Sequence, residues 1–153
     1  MTLLDLSSTD DQHFAQRLES ETIAWLGSVD GDGQPHQVPV WFGWKDRTAA
    51  VFSTPAARKV RNLRARPLCS LGIETSDSGN DVVILHGSAN VLDPAAAWEL
   101  AADVGFVEKY SALMGDGWFD AWVGTFSTPI RIDVTRMIAW HKPGGELRFR
   151  DAR

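Results

Sequence analysis

The sequence predicts an α+β fold, mainly β, in which about six antiparallel strands form a small barrel or highly curved sheet with helices packed outside it. Three observations lead there. The apolar stretches of the first half are short and separated by turn signals, as in TIAWLGSVDGDGQPHQVPVWFGW, so the strands cluster as hairpins. The links between these strands fall well short of the roughly dozen-residue crossovers that parallel pairing requires. Helix-forming stretches lie in separate blocks rather than alternating with strands. The chain has 153 residues with 44% hydrophobic content, enough for one core, and the expectation is a single domain over 1–153.

The elements follow in order. Ser8 or Thr9 opens a helix reaching about Ser20, with Asp10 and Asp11 in the first turn, where acids suit the helix dipole. Phe14 and Leu18 recur at helical spacing along it. Ile23, Trp25 and their successors read as a strand, DGDG as a tight turn, and Gln37 to Trp44 as a second strand. After a turn at Lys45-Asp46-Arg47, TAAVFST gives a third. A helix is expected between Thr54-Pro55 and Arg66-Pro67. Ser53 or Thr54 would be its N-cap, Pro55 its first helical position, and Ala56, Val60 and Leu63 its apolar face. LCSLGIET and DVVILHGSANVL read as strands around a polar loop. Asp93 caps a helix with Pro94 in its first position and Gly105 at its end, and residues 106–122 are helical in part. FSTPIRIDVTRMIAWHK supplies one or two strands, with alternation from Ile130 to Val134.

Several chemistries are excluded or disfavoured. The chain carries 20 Asp+Glu against 15 Lys+Arg, a formal net charge of −5, which argues against nucleic acid as a partner. The single cysteine, Cys69, excludes an intrachain disulfide and a cysteine-based zinc site, and suits a reducing cytoplasm. The N-terminal MTLLDLSSTDDQHF has acids where a signal peptide needs bases. No stretch approaches the roughly eighteen apolar residues of a membrane span. The expectation is a cytoplasmic protein without a membrane partner. His13, His36, His86 and His141 lack metal-ligand spacing. GDGQPH misses the third glycine of a dinucleotide fingerprint and reads as a hairpin turn. Ser88 lacks a nucleophile-elbow context, and His86 reads as a core or interface histidine. No catalytic side chain and no metal ligand is assigned.

One segment stands out. RKVRNLRAR, residues 58–66, gathers five cations and no acid. A helix N-terminus offers free N–H groups and partial positive charge. With the hydroxyls of Ser53 and Thr54 before it and Arg58 and Lys59 one turn in, donors would converge as a phosphate requires. A solvated basic helix has the same composition, so the charge run alone leaves both readings open. Its position after a strand ending in FST places the phosphate at a sheet edge.

The pieces SVDGDGQPHQVPVWFGW, VFSTPAARKVRNLRARP and VVILHGSANVLD, with a final strand ending in MIAWHK, together resemble a known superfamily. This is the pyridoxamine 5′-phosphate oxidase-like, flavin- and deazaflavin-binding split-barrel superfamily, and the resemblance is nearest to its actinobacterial branch that uses coenzyme F420. It runs from about Glu21 to Trp140 and implies a six-stranded antiparallel split β-barrel of Greek-key type with peripheral helices. It implies a ring cofactor against the backbone of Val38, Pro39, Val40 and Trp41. The cofactor's phosphate would be held by Ser53, Thr54, Arg58 and Lys59, with Asn62 supporting the pocket. It further implies a homodimer with cofactor sites at the interface, to which Arg131 and Trp140 of a second chain are candidate contributors. The chemistry implied is hydride transfer from the reduced deazaflavin to a small, flat, hydrophobic acceptor, without a protein nucleophile. Arg61, Arg64 and Arg66 would receive the acidic oligoglutamate tail that distinguishes coenzyme F420 from FMN. PVWFGW stands where pyridoxamine-phosphate oxidases carry an arginine-rich strand, which weakens FMN as the cofactor and pyridoxamine phosphate as the substrate. Two alternatives remain: an FMN-dependent split-barrel reductase or oxidase, and a non-catalytic protein that binds a flavin or similar ring.

Overall fold

The computed structural model describes residues 2–153. Its elements are α1 (Thr9–Ser20), β1 (Ala24–Val29), β2 (Pro35–Val40), β3 (Gly43–Lys45), β4 (Thr48–Ser53), α2 (Arg58–Ala65), β5 (Leu68–Ile73), β6 (Val82–Val91), α3 (Ala97–Asp103), α4 (Phe106–Met114), α5 (Trp118–Thr125), β7 (Thr128–His141) and β8 (Arg148–Ala152). The strands form one antiparallel sheet in the order β2-β1-β5-β6-β7-β4-β3, with β8 added beside the C-terminal half of β7. The class is therefore α+β with a curled antiparallel sheet, as expected, but with eight strands instead of six.

Both extra strands have a physical cause. The stretch expected as one strand from Gln37 to Trp44 is broken at Trp41–Phe42: β2 pairs with β1, whereas β3 pairs with β4 at the opposite end of the sheet. Its two halves are thus the sheet's two end strands. At the break the Phe42 N–H has no strand partner and donates to the Tyr110 hydroxyl at 2.9 Å, which itself donates to the Thr22 carbonyl at 2.8 Å. The eighth strand, β8, is polar and largely exposed, so its sequence carries no strand signal.

α1 begins as its sequence dictates, with the Ser8 hydroxyl accepting from the Asp11 N–H. Asp93 accepts from the Ala95 N–H at 2.9 Å, but Pro94 opens a short 3-10 turn and α3 follows only from Ala97. Residues 106–122 give two helices, parted where Gly115 and Gly117 take φ of 83° and 72°, a region that favours glycine.

Two apolar layers result. Inward residues of all eight strands, among them Leu26, Leu71, Leu85 and Met137, pack with Phe14 and Leu18 of α1 and Val60 and Leu63 of α2. The second layer lies on the other face of β4, where Ala50 and Phe52 meet α3, α4 and α5. β7 keeps its inward phase along its whole length through a bulge: Gly87 pairs with Val134 and His86 with Arg136, leaving Thr135 unopposed. Ile130, Ile132 and Val134 before it, and Met137 and Ala139 after it, are therefore all buried.

Candidate cofactor site

The segment 52–67 builds its site differently from the expectation. β4 ends at Ser53, which pairs with Thr128 of β7 and is buried. Its hydroxyl donates to the Thr54 carbonyl at 3.2 Å. Thr54 to Ala57 then closes as a turn, with the Ala57 N–H donating to the Thr54 carbonyl at 3.2 Å. α2 starts at Arg58, with Ala57 in the N-cap position and no side-chain cap. Neither Ser53 nor Thr54 is the N-cap, and Pro55 and Ala56 lie in the turn outside the helix. The reason is that Pro55 sits second in a four-residue turn, a position that its fixed φ suits as well as it suits a first helical turn.

The late start changes the electrostatics. Arg58 and Lys59 now occupy the first turn of α2, which holds no acid. That end of a helix dipole is positive and disfavours cations. Lys59 is half-buried, and burial pulls its ammonium pKa down. Elsewhere Arg17, Arg131, Arg136, Arg148 and Arg150 each contact a carboxylate at 3.4 Å or less. Among the described residues, none of Arg58, Lys59, Arg61, Arg64 and Arg66 forms an ion pair. Arg61 donates instead to the Ala56 carbonyl at 3.3 Å and Arg66 to the Gly31 carbonyl at 3.1 Å. The arrangement is suited to receiving a multiply charged anion.

Asn62 is buried and its amide donates to the buried Ser28 hydroxyl at 3.0 Å, tying α2 to β1. Arg58, Arg61 and Asn62 line a cleft of about 240 Å³ with Asp30 and Gly31 of the β1–β2 turn. The sequence marks Asp30 and Gly31 as turn residues only; their approach to α2, some thirty positions on, has no local signal. None of Val38, Pro39, Val40 and Trp41 lines this cleft. Val38 and Val40 pair with Leu26 and Ala24 and turn inward, whereas Pro39 is exposed opposite Trp25.

The Trp41 side chain joins the second apolar layer. Tyr110 stacks on it at 4.4 Å with 6° between planes, and Trp122 lies nearly parallel at 5.8 Å. Trp122 in turn stacks on Phe126 at 4.5 Å. The two residues proposed to act from a second chain lie on the outer face. Arg131 is paired with Asp133, and Trp140 donates to the Gly79 carbonyl at 2.9 Å. His86 lines a larger cleft of about 570 Å³ on that face, with Gly27, His36, Gln37 and Ser70 among its walls. No group of His, Cys, Asp and Glu among the described residues could hold a metal ion. No helix of the described chain is long and apolar enough to cross a membrane.

A family model described as pyridoxamine 5′-phosphate oxidase matches residues 10–138. Among solved structures, a conserved hypothetical protein from Mycobacterium tuberculosis is similar with a TM-score of 0.69 at 22% identity, over 85% of this chain and 83% of that one. An F420 reductase is similar with a TM-score of 0.61 at 20% identity, over 80% and 93%. An FAD-binding protein from Mesorhizobium loti reaches 0.59 at 20% identity, over 93% and 94%. A comparison with curated proteins finds no match.

Proposed function

The chain belongs to the pyridoxamine 5′-phosphate oxidase family, and from that membership we propose that it is an oxidoreductase that transfers a hydride from reduced coenzyme F420 to a small, flat, hydrophobic acceptor. The observation that carries the reading is the uncompensated charge of α2: two cations in an uncapped first turn, two more along the helix and Arg66 at its C-cap, none in an ion pair among the described residues. A phosphate at the N-terminus of α2 would meet the free N–H groups of the first turn, Arg58, Lys59 and the Thr54 hydroxyl. That leaves Arg61, Arg64 and Arg66 in excess of what a phosphate needs, and a polyanionic tail accounts for them. The coenzyme, when bound, supplies the hydride. The chain's part is to hold the anion at α2, to frame the ring with the backbone of Val38–Trp41, and to exclude water with the aromatic layer behind Trp41.

FMN would use the same phosphate donors, and the family's name favours it, so the two cofactors must be separated by measurement. Cofactor-stripped protein is titrated with coenzyme F420 and with FMN at two salt concentrations, following tryptophan fluorescence. Tight, salt-sensitive binding of the deazaflavin with weak FMN binding is expected. The reverse preference makes this an FMN protein, and binding without turnover of any acceptor makes it a carrier. The triple variant Arg61→Ala, Arg64→Ala, Arg66→Ala is expected to weaken deazaflavin binding and flatten its salt dependence while leaving FMN binding unchanged.

We also propose that two copies pair through the outer face of the sheet. Trp25, Leu68 and Phe149 stand there 40%, 74% and 71% exposed, on β1, β5 and β8, and no helix covers them. A second copy would bury this apolar surface.

A further inference from the structure

Lys109, on α4, differs from the exposed Lys45 and Lys142. Its Nζ lies 3.5 Å from the centroid of the Phe42 ring and donates to the Leu18 carbonyl, at the end of α1, at 3.1 Å. Among the described residues it forms no ion pair. It opens into a cleft of about 350 Å³ whose apolar walls are Leu18, Trp44 and Val104. The charged groups facing it are Glu19 of α1, Glu21 just past its C-terminus and Glu108 of its own helix, while β3 contributes the uncharged Trp44. The amine is thus held in place by one carbonyl and one ring face, beside a cleft that Leu18, Trp44 and Val104 line together with Glu19 and Glu108.

We propose that Lys109 is a covalent acylation site, its amine taking a short aliphatic acyl group from an activated donor, an acyl phosphate or a thioester. The Nζ lone pair attacks the donor's carbonyl carbon, and the C–O bond to phosphate or the C–S bond to the thiol breaks. The phosphate or thiolate leaves, and the amine proton passes to water. Neither oxidant nor reductant is needed. Burial supports the reactivity: it pushes the ammonium down to about 7, with Glu21 and Glu19 pulling the other way. Near neutral pH about half the amine is then free, against roughly one molecule in a few thousand for an ordinary lysine. The product amide still carries an N–H for the Leu18 carbonyl but no charge over Phe42. Tyr110, the next residue, holds the Phe42 N–H and stacks on Trp41, so the change is felt at the break between β2 and β3.

The test needs no cofactor and does not depend on the proposed activity. The purified chain is exposed at pH 7 to limiting acetyl phosphate in one arm and acetyl-coenzyme A in the other. Acetylation is followed by peptide mass spectrometry at Lys45, Lys109 and Lys142. Lys109 is expected to react about tenfold faster than the other two in at least one arm, which identifies the donor class, with a rate–pH midpoint near 7. Glu21→Gln removes a charge that favours the ammonium and is expected to lower that midpoint. Equal labelling of the three lysines in both arms overturns the proposal. So does a Lys109 rate that climbs in parallel with theirs above about pH 9, or a midpoint unmoved by Glu21→Gln.

Discussion

Asn62 shows how a side chain in a charged helix can serve packing. Its amide and the Ser28 hydroxyl are both buried and bond to each other, so truncating one leaves the other without its partner. Asn62→Ala is expected to cost about 1–3 kcal/mol, read as a lowered midpoint of chemical denaturation. The cations around it could be read from sequence, because charge is visible there. The partner of Asn62 could not, because Ser28 is 34 positions away and is met only once α2 docks on β1. Lys109 carries a different penalty. Its folded pKa is pushed down to about 7, below the ordinary 10.5 that the unfolded chain restores. Between those values the unfolded state binds more protons, so this group makes stability rise with pH across that window. Lys109→Met is expected to be more stable than the parent at pH 6, and its advantage should shrink as pH approaches about 10. Paired thermal melts at several pH values would show this, and an advantage independent of pH would contradict it.

At the scale of elements, strand and helix identity was legible wherever periodicity or turn chemistry was local. α1, β4, β5 and β6 fall where the sequence places them. The start of α2 was not legible, because proline is equally suited to the turn that Thr54–Ala57 makes and to a helix start. The division of 37–44 was not legible either: both halves have strand residues, and only the choice of partner, β1 or β4, separates them. β8 escaped because an edge strand has no continuous buried face to announce it. The bulge in β7 is equally silent in its own residues, but Gly87 opposite it gives a handle. A Cβ there would lie 2.6 Å from the Asp133 carbonyl oxygen and 2.8 Å from an Ile132 methyl. Gly87→Ala is therefore expected to destabilise the chain by about 1–3 kcal/mol, since backbone on a paired strand cannot withdraw. A melting temperature within one degree of the parent would contradict it.

For the whole molecule, the sheet has one face and part of the other covered by helices, and one broad outer area without such cover. If that area meets a second copy, Leu68→Glu places a charge in the contact. Sedimentation velocity is then expected to change from a dimer in the parent to a monomer in the variant, and a monomeric parent would refute the pairing. The family and the curled antiparallel architecture were legible from the order of short motifs along the chain, whereas the proposed pairing is argued from apolar side chains brought side by side only by folding. The sheet order also constrains when the chain can fold. β7 joins β6 to β4 and carries β8, yet it begins only at Thr128. On the ribosome, β4 and β6 must wait with open edges until the residues from Thr128 onward emerge. Early synthesis therefore leaves paired hairpins without a closed sheet, and long-range closure comes late. A chain stopped just before β7 would keep the facing edges of β4 and β6 unpaired, the kind of open strand edge that invites aggregation.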